Sequence, residues 1–414
     1  MIHIRKDFTN HSTLDLHICS LANWHIIHPQ STVMTLSNRN GLAVLFLLIC
    51  SLPIISSAQA QRAEQQIDSL MKQYSAVGLS VAVVKHNKII YTHSFGFSNK
   101  EQSVPLQDNN LFRIASISKS FLATSMMQLV EAKKVSLDDE FGKLVGFPVR
   151  NPNYPDQPIT LRMVLSHTSS VHDSLGYFDL DVINPAKNPQ WAGCYMHYAP
   201  GTHYEYCNLN FNMAGAALER ITGQRYDQYV VKHILQPLKL YGGYCVDSLD
   251  RSRFATLYDY DSTRSLTPAV AAYNPRSEEI KNYTLGYSTP LLSPTGGMKI
   301  TATDLATYMC MHMNWGKYHG VRLISKRSSK QMQSIIAPTA KYGLALLQTD
   351  NVIPGKTLHG HTGSAYGLYS FMFFSPEDKF GFVLITNGCK PIYSNGFNEF
   401  LTRSAQVLYN NLIQ

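Results

Sequence analysis

Charge is sparse in this chain. Only 15% of its 414 residues are Asp, Glu, Lys or Arg, and no run of five or more Lys or Arg occurs. The net charge of +8 is therefore scattered, which reads as a solvated basic surface and gives no support to a nucleic-acid footprint. A mild attraction to anionic cell-envelope polymers or carboxylated substrates is the sharper alternative. The seven cysteines, at 19, 50, 194, 207, 245, 310 and 389, contain no CxxC pair, so zinc and thiol-redox motifs find no support. The G-x-S-x-G elbow is missing too, which disfavours an α/β-hydrolase. No period of 20–50 residues repeats. What remains is 44% hydrophobic with 25 Gly and 19 Pro, a globular composition long enough to bury a full core without staples.

The amino end carries its own pattern. Gly41 to Ser57 is free of charge, follows Arg39 and precedes Ala58-Gln59-Ala60. A positive flank, an apolar stretch and a small-x-small site are the parts of a secretory signal, with cleavage expected after Ala60. Residues 1–33 are long and polar for such a signal, which makes Met34 a candidate start. Cys50 follows Leu48-Ile49 rather than the small residue a lipidation site wants. The expectation is an exported, periplasmic or secreted protein with no membrane span after cleavage. Cys194 could pair with Cys207 or Cys245 in an oxidising compartment, and buried free thiols are the favoured reading.

Periodicity outlines the rest. Ile67, Leu70 and Met71 in Arg62–Tyr74 predict a short amphipathic helix. Val77–Val84 and Ile89–Phe95 flank a polar turn and predict a hairpin. Further helices are expected over Ile117–Lys133, Thr160–His167, Asn208–Ile221, Tyr226–Leu235, Thr303–Trp315, Ser325–Ile336 and Glu399–Leu412. Gly223 stands where the C-cap of the Asn208 helix is expected. Leu368–Phe374 and Phe380–Thr386 predict a second strand pair. Strands at both ends with helices between predict an α/β (α+β) protein. Its antiparallel sheet is formed by both termini and flanked by helices, with a mostly helical insertion. The expected division is 61–120 with 286–414 as the sheet-bearing part and 121–285 as the helical part.

Three short motifs could carry chemistry. In Ser116-Ile117-Ser118-Lys119, residues i and i+3 share one helical face. A serine hydroxyl needs a base to take its proton, and a buried lysine can be that base because desolvation disfavours its ammonium form. Free N–H groups at the helix start can hold a developing oxyanion. In Tyr206-Cys207-Asn208, a phenol near the lysine can relay protons and the amide can both donate and accept. In His361-Thr362-Gly363, just before the second strand pair, glycine admits close backbone approach along a strand edge and His361 adds a titratable donor. Alone, each motif reads as well as a cap, a core tyrosine or a turn. His359 tempts a metal reading, but no third ligand has sensible spacing.

Together, in the order S-x-x-K, Y-x-N, H-T-G and separated by about 90 and 155 residues, they resemble the serine penicillin-recognising family. That family holds class C β-lactamases, D-alanyl-D-alanine carboxypeptidases, D-aminopeptidases and related esterases. Phe112–Phe121, Thr160–Ser169, Pro200–Gly223, Pro237–Leu240, Gly296-Gly-Met and Tyr342-Gly-Leu extend the resemblance over about residues 62–410. It implies a β-lactamase/transpeptidase-like fold and an acyl-enzyme at Ser116, with proton traffic shared by Lys119 and Tyr206. It implies that Asn208 contacts the substrate amide, that His361, Thr362 and Gly363 line the strand side, and that the N–H groups of Ser116 and Ser364 form the oxyanion hole. It implies no metal or organic cofactor, and a small-molecule or peptide substrate such as a cell-wall peptide. Cys207 stands where serine is usual, and His361 replaces the lysine common in class C β-lactamases. A neutral imidazole attracts a β-lactam carboxylate less than an ammonium does. Peptidase or esterase activity is therefore expected ahead of β-lactam turnover or a non-catalytic sensor. His167 resembles a structural residue of the family.

Overall fold

The computed structural model describes residues 56–414. Residues 41–55 of the apolar stretch, Met34 and Cys50 lie outside the described residues. The first described helix, α1 (Ser57–Gln73), opens on a capping box in which Ser56 and Gln59 satisfy each other's backbone donors. Ala63, Ile67, Leu70 and Met71 form its buried stripe.

Strands β1 (Gly78–Lys85) and β2 (Lys88–Asn99) follow as the expected hairpin. Its tip, His86-Asn87, has both φ angles positive, the I′ geometry whose twist suits a two-residue turn. Short strands β3 (Val104–Pro105) and β4 (Phe112–Arg113) lead to α2 (Ser118–Glu131). Then come α3 (Phe141–Val145), α4 (Leu161–Leu165), α5 (Asn208–Thr222) and α6 (Tyr226–Val230), the last continued by a π-helical turn to Leu235. Gly223 ends α5 in the left-handed conformation, as its position predicts. Between 242 and 300 lie β5 (Gly242–Gly243), β6 (Tyr258–Tyr260), β7 (Leu266–Pro268), α7 (Ser277–Lys281) and β8 (Lys299–Ile300). After α8 (Ala302–Met313), β9 (Lys317–Tyr318), β10 (Val321–Arg322) and α9 (Lys326–Gln333) the chain returns to strands. These are β11 (Leu347–Thr349), β12 (Leu358–Ala365), β13 (Leu368–Ser375) and β14 (Phe380–Gly388), with α10 (Glu399–Leu408) near the end.

The main sheet runs β11-β12-β13-β14-β1-β2-β3, antiparallel throughout. Its centre joins the two ends of the chain, with Ala82 opposite Val383. Both faces are covered, which is why β1 and β14 read as largely apolar runs rather than alternating ones. Leu79, Val81, Val83, Phe382 and Leu384 share one core with α1 and α10. Ala82, Val84, Val383 and Ile385 enter the other core, with α8 and the helices of the insertion. The five cysteines among the described residues are buried free thiols. No described helix is long and apolar enough to cross a membrane.

His361-Thr362-Gly363, read from sequence as a strand edge just before the second strand pair, lies inside a full strand, β12, the neighbour of β13. Its polar, glycine-containing text hides it from an apolar-alternation reading. β11 pairs only with Leu358–Gly360, so the outer edge of β12 is open from His361 to Ala365.

Candidate active site

Ser116 sits in a 3-10 turn, Ala115–Ile117, between β4 and α2. Ala115 holds a positive φ of 49°, a conformation unfavourable for an L-residue and common where a side chain must be aimed. Lys119 is the second residue of α2 and is fully buried. Its Nζ lies 3.1 Å from Ser116 Oγ, 2.8 Å from Asn208 Oδ1 and 3.0 Å from the Thr295 carbonyl. Desolvation lowers its pKa to about 7, against a partial offset from Asp173 and Cys207. A neutral amine has two N–H donors and one lone pair. Asn208 Oδ1 and the Thr295 carbonyl can only accept, so they take the two donors and leave the lone pair facing the Ser116 hydroxyl.

Asn208 opens α5 and is fixed from an unexpected direction. Asp173, from a loop without readable signature, accepts from Asn208 N at 2.8 Å, Leu209 N at 2.9 Å and Asn208 Nδ2 at 2.9 Å. Cys207 Sγ donates to the same carboxylate at 3.2 Å. A carboxylate at a helix N-terminus satisfies orphan N–H groups and favours the dipole. It also sets the amide orientation: nitrogen toward Asp173, oxygen toward Lys119 and the Thr295 hydroxyl at 2.8 Å. Only one Asn208 amide proton is left for a substrate.

The Tyr206 ring lies 4.7 Å from Lys119 Nζ and 4.3 Å from the His167 ring. Burial drives its phenol well above the usual range, and its approach to Ser116 works against that only in part. Tyr206 therefore stays a neutral O–H. His167 accepts from Cys207 N at 3.0 Å and is held neutral by burial, with Lys119 and His361 adding to the effect.

His361 requires a correction. The sequence reading made it a titratable donor toward substrate, but it is only 3% exposed. Its Nε2 lies 2.9 Å from the Tyr342 hydroxyl and its Nδ1 2.5 Å from the Thr362 carbonyl. The carbonyl can only accept, so Nδ1 carries the proton and Nε2 accepts from Tyr342. Desolvation, then Lys119, lowers its pKa to about 3. Both nitrogens are spent inside the protein.

Further along β12, the hairpin Ala365-Tyr366-Gly367-Leu368 has positive φ at both central residues. A I′ turn makes Ala365 and Leu368 the narrow hydrogen-bonded pair, and Gly363 with Ser370 the next. The N–H groups of Thr362 and Ser364 then point away from β13, to the open edge. Gly363 is required because a Cβ there would stand 2.3 Å from the Ile114 carbonyl and 2.3 Å from Ser370 Oγ.

Ser116, Tyr206, Asn208, His361, Thr362 and Ser364 line one cleft of about 610 Å³ with Arg113, Tyr177, Phe178 and Tyr366. Lys119 and Gly363 lie behind its wall. Asp173 and Thr295 were not singled out from sequence, and Arg113 and Tyr342 were read only as part of the family-like text Phe112–Phe121 and Tyr342-Gly-Leu.

A seven-stranded antiparallel sheet carrying S-x-x-K at a helix start, faced by Y-x-N and an H-T-G strand, is the β-lactamase/transpeptidase-like fold. Residues 63–406 match the Beta-lactamase family model, so the chain belongs to that family of serine hydrolases. It is 24% identical over 346 residues to Protein flp of Staphylococcus aureus strain MW2, covering 78% of this chain and 63% of that one. The chain thus spans under two thirds of that relative. An octameric penicillin-binding protein homologue from Pyrococcus abyssi has a TM-score of 0.67 and 25% identity, over 86% of this chain and 77% of that one. A D-amino acid amidase from Ochrobactrum anthropi SV3 has a TM-score of 0.65 at 20% identity, over 86% and 99%. This last likeness bears on the fold alone.

Proposed function

We propose that the chain is an exported serine hydrolase that cleaves an amide or ester through an acyl-enzyme on Ser116. The observation that carries this reading is the lone pair of a buried Lys119 amine directed at the Ser116 hydroxyl. In the first step Lys119 takes the Ser116 proton while Oγ bonds to the substrate carbonyl carbon. The oxyanion is held by the N–H groups of Ser116 and Ser364. As the carbonyl re-forms, the bond to the leaving group breaks. Tyr206, a neutral phenol near Ser116, hands its proton to the leaving amine or alkoxide and recovers one from Lys119. Water repeats the sequence on the ester and releases the acid. Lys119 rather than Tyr206 is the general base in this scheme, because burial favours the uncharged form of each.

The substrate class that fits best is a D-amino-acid peptide or a small ester. A neutral, fully bonded His361 offers no positive charge to the carboxylate of a β-lactam, so β-lactam turnover ranks below these. The test is a panel of short-chain 4-nitrophenyl esters, D-Ala-D-Ala peptides and nitrocefin, each run with Ser116→Ala. Turnover that depends on Ser116 is expected for an ester or peptide. Turnover that survives the substitution would refute the assignment.

A further inference from the structure

Beside the cleft lies a smaller cavity of about 290 Å³, lined among others by Arg113, Arg276, Lys299, Phe178, Ser293 and Tyr366. Arg113, Phe178, Ser293 and Tyr366 also line the main cleft, so the two adjoin. Three basic side chains face the cavity, and no carboxylate is among its lining residues.

Two of those bases are placed against ordinary rules. Arg113 and Lys299 are directly opposite in the β4–β8 pair, where like charges repel. They are only 8% and 4% exposed. Among the described residues neither forms an ion pair. Arg113 donates to the Gly296 carbonyl at 3.0 Å, but its contacts to the Ala272 carbonyl and Ser293 Oγ are long, 3.4 and 3.5 Å. Lys299 donates only to the Tyr244 carbonyl, at 2.5 Å. A guanidinium has five N–H donors and an ammonium three, so donors remain on both. The nearby Asp227 is committed to Arg225 through two bonds. A buried guanidinium with no ionic partner, beside a buried amine, is costly unless an anion completes the pair. Burial and the neighbouring Arg113 both hold Lys299 well below the ordinary lysine range, and a bound anion would reverse that.

The side of the cleft identifies the anion. If Ser116 is the nucleophile, as proposed above, the leaving group must lie beside Tyr206, which protonates it. The cavity shares none of Tyr206, Asn208 or His361 with the cleft and adjoins it at Arg113, Phe178, Ser293 and Tyr366, away from the phenol that protonates the leaving group. We propose that this cavity is a subsite for a carboxylate carried on the acyl part of the substrate, several bonds from the scissile carbonyl, held by Arg113, Lys299 and Arg276. The preferred substrate is then an ester or amide of an acid that bears a second carboxylate.

The probe pair is 4-nitrophenyl hydrogen adipate and its uncharged methyl ester, compared by kcat/KM in the wild type and in Arg276→Gln. Arg276 is half-buried and its guanidinium pairs with Glu279 at 3.0 Å, a surface ion pair of little energetic weight. The bond that anchors its segment, to Asp247, comes from its backbone N–H, so the substitution gives up the Glu279 pair but leaves that anchor in place. The wild type should prefer the acidic ester by on the order of tenfold or more, and Arg276→Gln should lose most of that ratio. Equal rates for the two esters, or a preference untouched by Arg276→Gln, would overturn the subsite while leaving Ser116 as nucleophile. Binding is read separately as thermal stabilisation of Ser116→Ala by methyl hydrogen adipate, with dimethyl adipate as control. Stabilisation by the acid alone, removed by adding Arg276→Gln, would support the subsite even if neither ester were hydrolysed, a result that would count against the hydrolase alone. No stabilisation by the acid would count against the subsite whatever the kinetics.

Discussion

Lys119→Met separates what the buried amine does for chemistry from what it costs the fold. In the unfolded chain Lys119 titrates near its ordinary value of 10.5, and in the fold near 7. Between those values the unfolded state holds the proton and the folded state does not, so stability rises with pH across that window. Below about pH 7 both states are protonated and the penalty is complete. At ~1.4 kcal/mol per pKa unit, the penalty is about 4 kcal/mol at pH 7 and about 2 kcal/mol at pH 9. Methionine removes this titration. It also forfeits the bonds to Ser116 Oγ, Asn208 Oδ1 and the Thr295 carbonyl, at about 1 kcal/mol each. The two effects nearly cancel at pH 7, so the variant should be about as stable as the wild type there, though inactive. At pH 9 the wild type should have gained about 2 kcal/mol on the variant. Urea denaturation of both proteins at the two pH values measures this, and titrating groups that do not sense Lys119 cancel in the comparison. A stability difference that stays constant from pH 7 to 9 would mean that Lys119 titrates as an ordinary lysine, and the argument for it as the base would fail.

The same ionisation governs catalysis: kcat/KM for an uncharged ester should rise with pH through about 7 as Lys119 loses its proton, and a flat profile from pH 6 to 9 would contradict this. Asp173→Ala removes the carboxylate that caps α5 and orients Asn208. It should cost about 1–2 kcal/mol in thermal denaturation and at least tenfold in kcat/KM, with Asp173→Asn retaining more of both. Gly363→Ala should lower stability by about 1–3 kcal/mol, because its Cβ meets the Ile114 carbonyl and Ser370 Oγ at 2.3 Å. Hydrolysis should fall with it, as β12 moves away from Ser116; a variant with wild-type kinetics would argue against close packing of that edge.

The central sheet was legible because its strands are buried on both faces and their apolar runs leave little ambiguity about β1, β13 and β14. Helix α5 announced both ends, through Asn208 and Gly223. The extent of β12 was not legible: His361-Thr362-Gly363 reads as a strand edge, but the His- and Gly-containing text of Leu358–Ala365 lacks the apolar alternation that would give its bounds. The residues of the three motifs do converge in one cleft, but what surrounds them came from segments remote in sequence. Asp173 acts 35 residues before the helix it caps, from a loop with no period to detect. The burial that turns His361 from a donor to substrate into a neutral partner of Tyr342 is tertiary. Arg113 read only as part of the text before Ser116, and Lys299 not at all. Their opposition exists only once β4 and β8 pair.

Mass spectrometry after exposure to a fluorophosphonate tests the nucleophile most directly. The account predicts one adduct per chain, mapped to the peptide that holds Ser116 and absent from Ser116→Ala. An unlabelled wild type, or a label that persists on another residue in the variant, would contradict it.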